Sequence, residues 1–176
     1  MAALSSPRFR TLISKQKIAA KNRELAQSIS RYYQNKDWVI LGLMSGSLYF
    51  LGDLLQGLPS ETIVETWKIS SYQGTKSTGK ITGIPQKASL LKNRHVLIID
   101  DILDTGCTLS HVQKAALQKG AKSVQICVLL SKKVKRTHPI KARWIGFQIP
   151  PKFVVGYGLD LDGRYRGLSE IVEVVD

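Results

Sequence analysis

The stretch HVLIIDDILDTGCTLS, residues 95–110, decides the fold. Val96, Leu97, Ile98 and Ile99 form an unbroken apolar run, the pattern of a strand buried on both faces. Two adjacent acids, Asp100 and Asp101, close the run, and Asp104 follows after two apolar residues. Asp104 to Thr108 (DTGCT) then reads as a turn of small, hydroxyl-bearing residues. A helix is expected over Thr108 to Lys119, ended by Gly120. The next strand is expected over Ser123 to Leu130. Strand, helix, strand is a βαβ unit, and its two strands should run parallel.

The rest of the chain extends that unit. Ser14 to Tyr33 carries Ile18, Leu25 and Ile29 at helical spacing and reads as an amphipathic helix. Asp37 to Leu43 reads as a buried strand, Leu48 to Leu58 as a helix closed by Pro59, and Thr62 to Ile69 as a strand. Trp144 to Ile149 and Phe153 to Tyr157 read as further short strands. Apolar strands alternating with helices imply an α/β sheet covered on both faces. Ser70 to Gly83 (SSYQGTKSTGKITG) is Ser-, Thr- and Gly-rich and reads as a mobile loop, of the length that often serves as a lid. No repeat or linker divides the chain, so residues 1–176 are expected to form a single domain.

Composition narrows the class. The chain has 176 residues, 43 % of them apolar, which suffices for one domain with a real core. No apolar run reaches membrane-spanning length, and the N-terminus lacks the apolar core of a secretory signal. Cys107 and Cys127 have no metal-ligand spacing between them, so a cytoplasmic chain with free thiols is expected. Basic residues outnumber acids 26 to 13, a formal net charge of +13. Such a field attracts polyanions, with a host-specific solvated surface as the plainer explanation.

Chemistry follows from where the acids fall. In open α/β sheets, ligands bind at the carboxyl ends of strands, which is where Asp100, Asp101 and Asp104 are expected. The turn that opens the following helix offers free N–H groups and a positive dipole end, suited to a phosphate. Gly106 permits close backbone approach, and Thr105 and Thr108 supply hydroxyl donors. A phosphate beside three carboxylates is repelled unless a divalent cation or donor hydroxyls intervene. A phosphorylated sugar with Mg²⁺ meets both needs, because hard oxygen ligands suit that ion. A capped helix after a strand, with Asp104 as N-cap, is the purely structural alternative.

This stretch resembles the phosphoribosyl-pyrophosphate (PRPP) motif of type I phosphoribosyltransferases. LGLMSGSLYFLGDLL (41–55), SSYQGTKSTGK (70–80), VLLSKK (128–133) and IGFQIPPKFVVGYGLDLDGRYRGL (145–168) resemble the hypoxanthine-guanine branch of that family, in the same order. The resemblance covers the chain from about residue 13 to its end. It implies a Rossmann-like, mostly parallel sheet flanked by helices, a small hood region and a mobile lid loop over about residues 70–83. It also implies transfer of a phosphoribosyl group from PRPP to N9 of a 6-oxopurine, with Mg²⁺, in purine salvage by a cytoplasmic homodimer or homotetramer.

Carried onto this sequence, the resemblance gives Asp104 as the general base beside purine N7. Asp100 and Asp101 serve the ribose hydroxyls and the metal, and Asp160 is a further metal-binding acid near the purine. Thr105, Gly106, Cys107 and Thr108 hold the 5′-phosphate. Ser45, Gly46 and Arg166 hold pyrophosphate, with Arg164 as the rival register for that arginine. Lys132 contacts the exocyclic O6, Phe153 stacks on the base, and Val154 makes a backbone contact. Ser71 and Tyr72 belong to the lid. A lysine donates to a 6-oxo group but cannot accept from a 6-amino group, which disfavours adenine.

Three positions depart from the family pattern. Ser45 stands where a lysine is usual and removes one positive charge from the pyrophosphate loop, although a backbone-built loop still binds through N–H groups. Asp100 stands in place of the more usual Glu. Cys107 replaces an often polar residue, and a thiol at a helix N-terminus is expected to be reactive. With Ser45, the charge supports a rival function: a PRPP-sensing regulator that binds RNA or DNA through basic residues 8–36 and 132–143. Purine choice among hypoxanthine, guanine and xanthine is left open.

Overall fold

A computed structural model describes residues 7–73 and 76–175; the side chains of 70–81 lie outside that description. In chain order the elements are β1 (Arg8–Ile13), α1 (Lys15–Tyr33), β2 (Trp38–Met44), α2 (Leu48–Leu55), β3 (Ile63–Lys68), β4 (Ser70–Gln73) and β5 (Lys76–Thr82). They continue with β6 (His95–Leu103), α3 (Cys107–Gln118), β7 (Ser123–Lys132), β8 (Trp144–Ile149), β9 (Val154–Val155) and β10 (Ile171–Val175). Five strands form one parallel sheet in the order β3-β2-β6-β7-β8.

Side-chain alternation along the central strands explains the two helical layers. Ile40, Leu97, Ile99 and Leu129 face α1 and α2, where Ile18, Leu25, Ile29, Phe50 and Leu54 pack against them. Val39, Leu41, Val96, Ile98 and Ile126 face α3, which presents Leu109, Val112 and Ala116. Each such side chain, taken from water, contributes about 1.5–3 kcal/mol. Ser14 caps α1, its hydroxyl oxygen accepting from the Lys17 N–H at 3.4 Å.

The strand order has a functional consequence. From β2 the chain moves outward to β3, then crosses to the opposite side of β2 to lay down β6. This reversal is a topological switch point, the place where open α/β sheets leave a crevice beyond the strand ends. The β2–β6 ladder stops at Gly42 and Ile99, whereas β6 continues beside β7 to Leu103 and Ser131. The sheet therefore parts just where the acids begin.

Several expectations need correction. β6 extends four residues past the expected end, so Asp100 and Asp101 lie on the strand; its pairing with β7 carries it through the acids. Lys132 is likewise the last residue of β7. Helix α2 ends at Leu55, with Gln56 as C-cap, short of Leu58. The residue capping α3 is Gly106, with φ of 86°, and not Asp104. The segment expected as a loop over 70–83 is an antiparallel strand pair, β4 with β5, in which Ser70 opposes Thr82 and Tyr72 opposes Ser77. The segment carries no apolar alternation to read. At its root, Gly83 has φ of 93°, and an added Cβ would lie 1.9 Å from the Lys68 carbonyl oxygen, so only glycine fits.

Two strands were not anticipated. β1 and β10 pair antiparallel, and β9 adds to β10, forming a separate three-stranded sheet that corresponds to the hood. The expected strand over 153–157 shrinks to Val154–Val155. Glu173 on β10 ties this sheet together: its carboxylate accepts from Arg10 at 2.6 Å and from Lys152 at 2.7 Å.

Candidate functional site

A cleft of about 630 Å³ opens at the parting of β2 and β6. That volume suits a compound of nucleotide size. Every candidate residue named from the sequence lines it except Ser71 and Tyr72, whose side chains lie outside the described residues.

The acidic floor comes from β6. Asp100 and Asp101 are half-buried neighbours, and the Asp101 N–H donates to the Asp100 carboxylate at 3.1 Å. Burial, and then the charge of Asp101, push the Asp100 carboxyl well above the usual carboxylate range. Burial also raises Asp101, while hydrogen bonds and the nearby Arg166 guanidinium pull against that rise. Like-charge repulsion thus acts within this adjacent pair. Such a pair favours a shared proton, and gains from anything that brings positive charge or hydroxyl donors.

The phosphate-sized turn follows directly. Gly106 adopts its left-handed conformation beside the segment 137–140, where an added Cβ would lie 2.6 Å from Ile140 and 3.1 Å from the His138 carbonyl oxygen. The Thr137 and His138 N–H groups donate to the Thr105 carbonyl at 3.2 and 3.3 Å. Helix α3 therefore starts from a turn braced on its outer side, with the helix N-terminus directed at the cleft end that Thr105 and Thr108 line.

Asp104 and Lys132 face each other across the strand ends. The Lys132 ammonium donates to the Asp104 carboxylate at 3.0 Å, with 17 % and 39 % of the two side chains exposed. The sequence reading assigned them separate contacts with a purine; in the protein alone they are partners. Phe153 stands beside them with 53 % of its surface exposed, unusual for a large aromatic side chain. Its carbonyl accepts from the Val174 N–H at 3.1 Å, which anchors the residue to the hood, and Val154 is buried behind it.

The far wall is built from tight turns after β9. Arg166, and not Arg164, lines the cleft. Its guanidinium donates to the Gly158 carbonyl at 2.6 Å and pairs with Asp160 at 2.7 Å. Asp160 also accepts from the Gly163 N–H at 2.7 Å, so both its oxygens are engaged. Against these turns lies the 44–47 loop, in which the Met44–Ser45 peptide is cis. Ser45 is exposed, and Ser47 is buried with its hydroxyl donating to the Leu43 carbonyl at 2.5 Å. A Cβ on Gly46 would lie 1.8 Å from the Asp101 carboxylate, and one on Gly158 would lie 2.1 Å from the Gly46 carbonyl oxygen. Two glycines thus let the 44–47 loop, the acids and the hood turn touch.

A polar cluster that reaches from the buried Asn22 and Tyr157 to the exposed Asp53 holds that hood turn in place. The Tyr157 hydroxyl donates to Asp53 of α2 at 2.6 Å and accepts from Asn22 of α1 at 2.7 Å. Apolar lining residues, among them Ile69, Ile102 and Leu161, were not singled out from the sequence. Ile102 was discoverable, since it follows the two acids on the same strand; Ile69 and Leu161 carry no local signal.

Comparison with known proteins agrees with this geometry. The family model described as phosphoribosyl transferase domain matches residues 11–162. The chain is 35 % identical to the hypoxanthine-guanine phosphoribosyltransferase of Aquifex aeolicus over 178 aligned positions, covering 100 % of both chains. A crystal structure of a hypoxanthine phosphoribosyltransferase from Staphylococcus aureus superposes with a TM-score of 0.86 at 35 % identity, covering 94 % of this chain and 91 % of that one. One of a hypoxanthine-guanine phosphoribosyltransferase from Bacillus anthracis gives 0.87 at 31 % identity, covering 97 % and 100 %. With its parted parallel sheet, acidic strand end and capping hood, the chain belongs to the phosphoribosyl transferase family.

Proposed function

We propose that this chain is a purine-salvage enzyme that transfers the phosphoribosyl group of PRPP to N9 of hypoxanthine or guanine, releasing pyrophosphate. The observation that carries the reading is the Lys132–Asp104 ion pair in the cleft. One edge of a 6-oxopurine presents O6, an acceptor, beside N7. With hydrogen on N7, that edge offers an acceptor for Lys132 and a donor for Asp104. The base then exchanges one ion pair for two hydrogen bonds. A 6-amino group would set donor against donor at Lys132.

Bond changes are a substitution at the ribose. The N9–C1′ bond forms, the bond from C1′ to the pyrophosphate oxygen breaks, and the N7 proton passes to the Asp104 carboxylate. Asp100 and Asp101 accept from the ribose hydroxyls, and their charge stabilises the positive charge that develops on the sugar. Residues Thr105 to Thr108 seat the 5′-phosphate. Arg166 and the backbone of Ser45 and Gly46 face the pyrophosphate, and Phe153 stacks on the base. Ser71 and Tyr72, on the β4–β5 ribbon, cover the reacting atoms and exclude water.

The donor set also fits Mg²⁺. Asp100 and Asp101 offer only oxygen atoms and are short of positive charge, as hard divalent cations require. Asp100, Asp101 and Asp160 would hold the ion, which when bound would neutralise charge on the departing pyrophosphate. We place the enzyme in the cytoplasm as a homodimer or homotetramer built from one catalytic domain; among the described residues no helix is long and apolar enough to cross a membrane.

The regulatory alternative gains nothing from the named relatives, which are phosphoribosyltransferases. A sensor that only binds PRPP also has no use for Asp104. Turnover of PRPP and Mg²⁺ with hypoxanthine, guanine, xanthine and adenine, followed by absorbance beside Asp104→Asn, tests the proposal. The 6-oxopurines should react, and the variant should lose at least 100-fold in kcat, roughly the share of a positioned base. PRPP binding without turnover of any base would overturn it.

A further inference from the structure

Behind the phosphate turn, two imidazoles that do not line the cleft, His111 and His138, gather against the thiol of Cys107, a residue of the turn itself. Cys107 and His111 lie one helical turn apart on α3, and the Cys107 thiol sulfur is 3.8 Å from His111 Nδ1. His138 approaches from the segment that braces Gly106, its ring centroid 5.9 Å from that of His111. One donor atom from each of the three lies within 4.8 Å of the other two. No local pattern announces this grouping, because 26 residues lie between His111 and His138 and only the return of the chain after β7 joins them.

We propose that Cys107, His111 and His138 form a binding site for a thiophilic divalent cation, with Zn²⁺ as its natural probe. The donors are one sulfur and two imidazole nitrogens, a set that selects Zn²⁺ over the oxygen-seeking Mg²⁺ of the cleft. Zinc bonds of about 2.3 Å to sulfur and about 2.0 Å to nitrogen, at tetrahedral angles, place ligand atoms roughly 3.5 Å apart. The observed spacings therefore close on one ion by side-chain rotation alone. Two of the ligands share a helix at i and i+4, the spacing that puts paired ligands on one face.

The surroundings suit the assignment. His138 has its backbone fixed by its N–H bond to Thr105 and a ring contact of 3.0 Å from Nδ1 to the Thr137 hydroxyl, which orients the imidazole. His111 Nδ1 lies 2.9 Å from the Cys107 carbonyl oxygen, a contact within its own helical turn that the ion would replace or turn to the second ring nitrogen. Cys107 and His138 are half-buried and His111 is exposed, so an ion can reach them from solvent. Three protein ligands leave one tetrahedral position open to water.

Titration calorimetry of the untagged, full-length protein with Zn²⁺, in buffer holding excess Mg²⁺, tests the site. One equivalent should bind, and Cys107→Ser, His111→Asn and His138→Asn should each weaken binding by more than about tenfold. His95→Asn should bind as the parent does, because that imidazole sits at the other end of the sheet on Ser123. Iodoacetamide labelling gives a second readout. Cys127 is fully buried, so labelling of the folded protein reports Cys107, and Zn²⁺ should slow it. The site is overturned if His138→Asn leaves affinity and protection unchanged, since a hydrogen-bonded Cys–His pair on one helix would then account for the contacts. Absence of stoichiometric binding overturns it too.

Discussion

Replacing Lys132 by glutamine separates the two halves of the base-recognition argument. In the free protein Lys132 holds Asp104 at 3.0 Å, and 39 % of the Asp104 side chain is exposed. A partly exposed pair of this kind is worth at most about 1 kcal/mol after screening. A hydrogen bond from an ammonium to a buried O6 is worth about 1.5–3 kcal/mol. Binding a 6-oxopurine exchanges the first for the second, so the net loss in the variant is about 0.5–3 kcal/mol. In kcat/KM that is about 2- to 150-fold for hypoxanthine. Glutamine carries an acceptor as well as a donor, so adenine should not suffer the same loss. The hypoxanthine-to-adenine preference should shrink by at least the same factor. Initial rates at saturating PRPP and Mg²⁺, with each base varied, measure both quantities. Combining the change with Asp104→Asn should be less than additive, since both residues serve one edge of the base. A variant within twofold of the parent on hypoxanthine, or one with an unchanged ratio between bases, would refute the exchange.

Other expectations follow from the contacts around the site. Gly158→Ala places a Cβ against the Gly46 carbonyl at a backbone angle that L-residues avoid; strain of about 1–3 kcal/mol should displace the 44–47 loop and raise the KM for PRPP with little change in that for the base. Tyr157→Phe leaves Asp53 without its hydroxyl donor and should destabilise by about 1–2 kcal/mol, a melting shift of about 2–8 °C by calorimetry. The cationic partners Lys152 and Arg10 hold the Glu173 carboxyl below its usual range; the stability this supplies is present above the unfolded value of about 4.3 and is lost as pH falls through the lower folded value. Melting curves of Glu173→Gln should therefore lie below the parent at pH 7 and converge with it in acid. Peroxide should inactivate the parent enzyme, with PRPP protecting it, and should spare Cys107→Ser.

Much of this architecture was legible because the central strands are buried on both faces. Val96 to Ile99 announced β6 without ambiguity, and the acids after it marked the ligand side of the sheet. What escaped was set by distance along the chain. β1 is largely exposed and its partner β10 lies at the opposite terminus, so no local pattern announces their pairing. The β4–β5 ribbon is written in Ser, Thr, Gly and Lys and lacks an apolar signature. Strand length past the acids depended on β7, whose pairing to Asp100 and Ile102 no single segment reveals. The candidate residues were readable one by one through their resemblance to a family, whereas the ion pair between Asp104 and Lys132 was not, because a motif records contacts with substrate and not those made in its absence.

The early end of the β2–β6 ladder also bears on how such a protein can change. Residues up to Gly42 and Ile99 are held across the β2–β6 seam, whereas beyond it β2 is paired only with β3 and β6 only with β7. Cleft-lining side chains past the seam can be exchanged without disturbing the interlocked layers beneath them, apart from the buried Leu43 and Leu103 and the close-packed Gly46, Gly106 and Gly158. Ser45 and Asp100, the two departures from the family pattern in the floor of the cleft, both lie past that seam. A directed-evolution library confined to the exposed or half-buried, non-glycine positions of 43–47, 100–108 and 158–166 would therefore sample new leaving groups and acceptor bases with the buried layers left intact.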